Sequence, residues 1–233
     1  MKQDQPNLPK HVGIILDGNR RWARANGQPI LEGHRAGYQN LRKITRYMFF
    51  EKGIKLVSAF VFSTENWSRS AEEVEYLMNL LLGAFKKSLK EFKEENIRIV
   101  VLGRRDRLSP KIIKVIEQAE AETENNSAGT IAFCFNYGGQ AEIVDAAKAL
   151  LEQKTDPAKL TPESFADHLY HPDVPPVDLL IRTSGEQRTS GFMLWRAAYA
   201  ELYFTDKHWP DFSPADVDAA LADFAKRQRR YGR

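Results

Sequence analysis

Three polar clusters, each following an apolar run, hold most of the side chains able to do chemistry. The first is Asp17-Gly18-Asn19-Arg20-Arg21-Trp22, after the run His11-Val-Gly-Ile-Ile-Leu16. Gly18 and Asn19 tolerate positive φ, so the backbone can turn sharply and aim its N–H groups at one point. One carboxylate beside amides and guanidiniums suits a hard cation that bridges to phosphate. Asp17 would take the metal, and the amides and arginines the phosphate oxygens. A plain turn with a helix cap also accounts for Asp-Gly-Asn and is the first reading of these residues alone. The second cluster is Ser63-Thr64-Glu65-Asn66-Trp67-Ser-Arg69. The third, Arg182-Thr-Ser-Gly-Glu-Gln-Arg188-Thr189-Ser190, sets two arginines and a hydroxyl around a glycine. That pattern fits a diphosphate clamp, because Arg grips phosphate bidentately. It also fits a solvated loop with surface ion pairs. His34 and Glu201 complete the candidates.

Such clusters act together only if the strands before them end side by side. Apolar runs predict strands at 11–16, 56–62, 97–102, 130–136, 177–182 and 201–204. Helical spacing and caps predict helices at 20–26, 33–52, 71–95, 110–123, 140–153, 164–169 and 214–231. The alternation gives an α/β fold: a single domain with a central, mostly parallel six-stranded sheet flanked by helices. In such sheets ligands bind beyond the carboxyl ends of the strands, where all three clusters follow. Val74, Leu77, Met78, Leu81, Leu82, Phe85, Leu89 and Phe92 form one stripe on the 71–95 helix. Periodicity reads it either as a core face or as one wall of an apolar substrate tunnel. Residues 1–10, with two prolines, read as a flexible N-terminal arm before a domain at 11–233.

Composition narrows the function classes. The 233 residues are 42% hydrophobic, enough for one substantial core, and a net charge of +3 is too mild to argue for nucleic acid. The basic stretch Lys226–Arg233 lacks aromatic interleaving. The single cysteine, Cys134, lies in an apolar run and reads as packing, which excludes a disulfide framework. There is no P-loop, dinucleotide fingerprint, Cys/His metal cluster or nucleophile elbow. No run is long enough to span a membrane, and the N-terminus is no signal peptide. The expectation is a cytoplasmic protein whose membrane contact is at most peripheral.

Further stretches make the reading specific. His11-Val-Gly-Ile-Ile-Leu-Asp-Gly-Asn-Arg-Arg-Trp-Ala23, Gly33-His-Arg-Ala-Gly37, Phe62-Ser-Thr-Glu-Asn-Trp-Ser-Arg69, Asn136-Tyr-Gly-Gly139, Arg182-Thr-Ser-Gly-Glu-Gln-Arg188 and Ala198-Tyr-Ala-Glu-Leu-Tyr-Phe204 with Trp209-Pro-Asp-Phe212 occur in order. In this the chain resembles the cis-prenyltransferases, the family of bacterial undecaprenyl diphosphate synthase, over nearly all its length. The resemblance implies condensation of isopentenyl diphosphate in cis onto farnesyl diphosphate, giving a long polyprenyl diphosphate, a lipid-carrier precursor for peptidoglycan. It implies Mg²⁺ held by Asp17 and Glu201, and an allylic diphosphate cradled by Gly18, Asn19, Arg20, Arg21 and Trp22 with His34. Arg182, Arg188, Thr189 and Ser190 would hold isopentenyl diphosphate. Asp17 and Asn66 would be catalytic, and Ser63, Thr64, Glu65, Trp67 and Arg69 would bind substrate, with Glu73 in the segment that closes. A homodimer, and membrane contact through the lipid product, are also implied. Three positions depart from the family pattern: Ile30 where an arginine is usual, Ser70 for proline and Gly191 for asparagine. A different product length and a non-catalytic partner subunit are the alternatives within the family.

Overall fold

The structure is a computed structural model that describes residues 8–227, the side chains of residues 84–88 excepted. The first seven residues of the expected arm, most of the basic tail and the Phe85 side chain therefore lie outside the described residues. Strand β1 (His11–Ile15) leads through a tight turn, in which the Asp17 N–H donates to Ile15 O at 2.9 Å, into α1 (Asn19–Ala25) and α2 (Ile30–Arg46). Then follow β2 (Leu56–Ser63), α3 (Ala71–Glu94), β3 (Ile97–Leu102), α4 (Pro110–Thr123), β4 (Gly129–Tyr137) and α5 (Gly139–Glu152). The chain closes with α6 (Pro162–Ala166), β5 (Leu179–Arg182), β6 (Glu201–Phe204) and α7 (Pro214–Lys226). The six strands lie in the order β3-β4-β2-β1-β5-β6, and every pairing is parallel. The sheet is thus wholly parallel rather than mostly so, and its successive strands are joined by long connections, as parallel pairing requires.

Side chains alternate between two cores. Val12, Ile14, Val57, Ala59, Ile99 and Ile131 pack beneath α2, α3, α4 and α7. Ile15, Val100, Ala132, Cys134 and Leu180 pack on the other face with Tyr137, Phe192 and Met193. Both faces are covered, which explains why the strands read as continuous apolar runs. Cys134 is buried and free, as the packing reading expects.

Several boundaries differ from expectation for local reasons. Helix α2 begins at Ile30, not at 33, because Pro29 supplies an extended N-cap. Its expected end is a π-helical segment, Tyr47–Glu51. Helix α6 starts at Pro162, not at 164, since Thr161 and Ser164 form a capping box around that proline. Helix α7 runs to Lys226, and residues 228–231 of its expected span lie outside the described residues. Arg227 is extended there and reaches Glu201 and Asp223.

At the far end of β1, His11 is buried, with Nδ1 against Pro175 O at 2.9 Å and Nε2 against Ser58 Oγ at 2.7 Å. Burial pushes the imidazole pKa down to about 4, against a smaller upward pull from the proline carbonyls. The folded pKa lies below the unfolded value of about 6.5, so the stability His11 contributes is present above that value and lost as pH falls towards 4. The expected loss over that window is about 3 kcal/mol. Urea midpoints at stepped pH check it, since His11→Asn should flatten that part of the profile.

Candidate active site

The β1–β5 register sets Ile15 opposite Arg182, so Asp17 and Arg182 meet at the carboxyl edge of the sheet. Asp17 Oδ2 accepts from Arg182 Nη2 at 2.9 Å and pairs with Arg21 Nη2 at 3.2 Å, while Oδ1 accepts from the Gly18 N–H at 2.7 Å. Burial works to raise this carboxyl. The Arg182 hydrogen bond and the two guanidinium charges outweigh it and hold Asp17 below the usual carboxylate range. Gly18 has φ +101, and a Cβ there would lie 2.6 Å from Ser184 Oγ and 2.8 Å from His208 Nδ1. The turn therefore needs glycine for its conformation and for its space.

Helix α2 crosses α1 closely: a Cβ on Gly33 would sit 2.2 Å from Asn19 O. That approach brings His34 to the site, where Nε2 lies 3.1 Å from Glu73 Oε1. Arg69 Nη1 contacts the same oxygen at 3.0 Å, and Arg20 Nη1 lies 3.9 Å from Oε2. Glu73 is thus the shared partner of two guanidiniums and the His34 ring. Burial lowers the His34 pKa more than Glu73 raises it, so the ring is neutral near pH 7. Glu186 does the same for Arg21, at 3.3 Å, and Arg188, at 2.5 Å.

Two connected spaces lie here. A polar mouth is lined by Asp17, Gly18, Asn19, Arg20, Arg21, Arg24, His34 and Arg69. A cavity of about 270 Å³ runs inward from Asp17, Ser63, Asn66, Arg182 and Ser190 to Leu41, Leu77, Leu81, Phe92 and Phe133. Arg182 is buried and spans the junction. Its Nη1 donates to Arg188 O at 2.6 Å and to Ser190 Oγ at 2.8 Å. Its Nε, like Asn19 Oδ1, is buried with no hydrogen-bond partner. Cationic side chains at the mouth of an apolar cavity favour a polar-headed ligand with an apolar body.

The structure therefore gathers Asp17, Gly18, Asn19, Arg20, Arg21, His34, Ser63, Asn66, Arg69, Arg182 and Ser190 around these two adjoining spaces. Trp22 lies outside them, donating from Nε1 to Asp211 Oδ1 at 2.7 Å. Glu65 is exposed and accepts from Thr64 Oγ1 at 3.1 Å. Trp67 turns away and donates from Nε1 to Asn136 Oδ1 at 2.7 Å. Arg188 is exposed and Thr189 half-buried beside the cavity. Glu201 is a correction. It opens β6 opposite Leu179, at the amino edge of the sheet, and pairs with Arg227 at 2.9 Å. Within one chain it stands at the edge of the sheet opposite the one that carries Asp17. Of the α3 stripe, Leu77, Leu81 and Phe92 line the cavity, while Val74, Met78, Leu82 and Leu89 pack against the core.

Two departures have local explanations. Ser70 caps α3, its Oγ accepting from the Glu73 N–H at 3.3 Å, where proline would also hold φ −57. Gly191 has φ +77, which glycine and asparagine both adopt readily. Ile30 carries no charge, and Arg24 stands at the mouth instead. Glu186, which ties two of the arginines, was not among the sequence candidates. Its place two residues before Arg188, within the third cluster, was the available signal.

Comparison with known proteins decides the family. Residues 15–232 match the family model described as "Putative undecaprenyl diphosphate synthase". The chain belongs to that family. Curated relatives include Isoprenyl transferase 1 of Streptomyces coelicolor, 45% identical over 97% of this chain and 82% of its own length. The Isoprenyl transferase of Thermotoga maritima is 44% identical over 97% of both chains. Among solved structures, lavandulyl diphosphate synthase of Lavandula x intermedia, in complex with dimethylallyl diphosphate, superposes with a TM-score of 0.92. It is 35% identical and covers 97% of this chain and 99% of its own. A "probable undecaprenyl diphosphate synthase" of Campylobacter jejuni gives 0.82 at 30% identity, over 97% of this chain and 100% of its own. The protein is thus an enzyme of the isoprenyl transferase family, with the family's fold. No helix among its described residues is long and apolar enough to cross a membrane.

Proposed function

We propose that this isoprenyl transferase extends farnesyl diphosphate with isopentenyl diphosphate in cis, with Mg²⁺, to undecaprenyl diphosphate. The observation that carries the reading is the Asp17–Arg21–Arg182 cluster at the mouth of an apolar cavity. The allylic head would lie on Gly18, Asn19, Arg20 and Arg21 with His34, and its tail along Leu41, Leu77 and Leu81. Isopentenyl diphosphate would lie on Arg182, Arg188 and Ser190. As the tail lengthens it would extend past Phe92 and Phe133, so that the cavity serves as a tunnel between β2 and α3.

Among the described residues no three His, Cys, Asp or Glu side chains gather as a metal cage. Mg²⁺ commonly takes one or two carboxylates and draws its other ligands from phosphates and water. Asp17, beside phosphate-binding arginines, fits that donor set. Bound there, the ion would add positive charge against the departing diphosphate. The chain's own groups do the rest. Arg20, Arg21 and Arg69 meet the charge that develops as the allylic C–O bond breaks. Arg182 and Ser190 hold the isopentenyl unit so that its terminal carbon faces the allylic carbon and bonds to it. One proton then leaves the new unit. Asn66, an amide and a poor base, orients that proton towards a released diphosphate oxygen.

A homodimer is part of the proposal. Strand β6 is a sheet edge with Leu202 exposed, and neighbouring Tyr199 is 73% exposed. A second copy would cover this surface. Membrane contact would be peripheral and made through the lipid product at the cytoplasmic face, where peptidoglycan precursors are built.

The test is incubation with farnesyl diphosphate and radiolabelled isopentenyl diphosphate, with Mg²⁺ or with EDTA, followed by sizing of the products. The expected result is a Mg²⁺-dependent ladder that ends at undecaprenyl length. A ladder ending elsewhere corrects the product, and folded protein that makes none moves the partner-subunit reading forward.

A further inference from the structure

One motif remains without a task. Asn136-Tyr137-Gly138-Gly139 closes β4 and opens α5, and none of its residues lines the cavity or its mouth. Each residue nevertheless meets a segment that does. Asn136, in the left-handed region at φ +49, accepts the Trp67 indole N–H at 2.7 Å. Its amide donates to Arg104 O at 3.1 Å and Asp106 O at 2.9 Å. The Arg107 guanidinium lies over the Trp67 ring, 4.4 Å from its centroid. Trp67 directly follows Asn66 in the 3-10 turn Thr64–Ser68, so its anchor ties that turn to the end of β4. Gly138 abuts the start of the same turn: a Cβ there would lie 2.6 Å from Thr64 Oγ1.

The other half of the motif holds the second loop. The Gly139 N–H donates to Gly191 O at 2.9 Å, and a Cβ on Gly139 would stand 2.4 Å from that oxygen. Tyr137 is fully buried and donates to Glu142 Oε2 at 2.5 Å. Glu142 Oε1 in turn accepts from Arg196 Nη1 at 2.6 Å, on the chain that continues from Ser190 and Gly191.

We propose that Asn136–Gly139 is a joint that positions both binding segments. It would act through Asn136 on the Thr64–Ser68 turn and through Gly139 on the loop around Ser190, without itself touching substrate. The inference rests on the function proposed above for those segments. An error of about 1 Å in placing a reacting group costs up to about a hundredfold in rate, so loosening either tether would show in turnover. The two tethers predict different kinetic signatures, which a merely structural role would not produce.

The experiment compares wild type, Asn136→Gly, Trp67→Phe, their double variant and Gly139→Ala, varying each diphosphate in turn. Glycine at 136 keeps the positive φ and removes only the amide. Asn136→Gly is expected to lose at least about tenfold in kcat, and the double variant to lose no more than about twofold beyond Trp67→Phe alone. Gly139→Ala should raise KM for isopentenyl diphosphate at least about fivefold and leave kcat within about threefold. Wild-type kcat in Asn136→Gly overturns the joint. So do losses that multiply in the double variant, or equal damage to both substrates in Gly139→Ala. Should Asn136→Gly not fold, Trp67→Phe carries the first test, because it withdraws the donor of the same bond. A wild-type enzyme without turnover sinks the proposed function. The joint is then judged on the Trp67 emission, taken as wild type minus Trp67→Phe, which should shift to the red in Asn136→Gly and overturns the joint if it does not.

Discussion

Asp17→Ala is expected to lower isopentenyl incorporation at least about a thousandfold while the protein stays folded. Alanine gives up the side-chain bonds to the Gly18 N–H and Arg182, but the backbone contacts at this position remain. Asp17 O accepts from the Trp209 N–H at 3.0 Å and from Thr183 Oγ1 at 2.7 Å, and alanine keeps both. Arg182 retains its bonds to Arg188 O and Ser190 Oγ, so the isopentenyl side of the site persists. What disappears is the carboxylate between two guanidiniums, the one acidic group at the mouth that the Mg²⁺ reading uses. The loss should therefore fall on kcat and leave KM for isopentenyl diphosphate within a few-fold, about the range expected when only transition-state stabilisation is removed. Radiolabel incorporation together with circular dichroism checks it. Near-wild-type turnover in a folded variant removes the metal–diphosphate argument.

Glu142→Ala carries the largest expected effect on stability. Glu142 and Arg196 are 1% and 3% exposed, and they form the buried ion pair on the far side of the sheet. Alanine strands the Arg196 charge and leaves the Tyr137 hydroxyl and the Tyr170 N–H, 3.2 Å from Glu142 Oε1, without their acceptor. Removing one partner of such a pair costs about 3–5 kcal/mol, or about 10 °C in midpoint for a chain of this size. Urea and thermal melts give the answer. A loss under about 1 kcal/mol would mean that the carbonyls of Val174, Tyr170 and His171 hold Arg196 by themselves.

The sheet was legible because strands buried on both faces must be apolar throughout, and Val12–Ile15 and Ile131–Phe135 are. Asp17, Arg182 and Ser63 could be assigned to one edge because each ends or follows a strand in a parallel sheet. The same rule, applied strictly, displaces Glu201: an acid that begins a parallel strand lies at the opposite edge from residues that follow one. Which members of a polar cluster face the cavity was not legible. In Thr64–Ser68 a 3-10 turn sends Asn66 inward and Trp67 towards Asn136, a choice made by a residue about seventy positions away. Counter-ions were hidden for a related reason, since Glu73 meets His34 only after α2 and α3 have packed.

Glu73 and Glu186 have a kinetic consequence. Between them they already contact Arg20, Arg21, Arg69 and Arg188 before any ligand arrives. An incoming diphosphate therefore meets a positive hollow that two carboxylates partly compensate, and it exchanges partners with these acids, while a departing one leaves its former contacts a place to return. Such placeholder ligands flatten the free-energy difference between the loaded and emptied site. For a chain-lengthening reaction, which must shed a diphosphate at every round while keeping its tail, that is a built-in protection against product trapping.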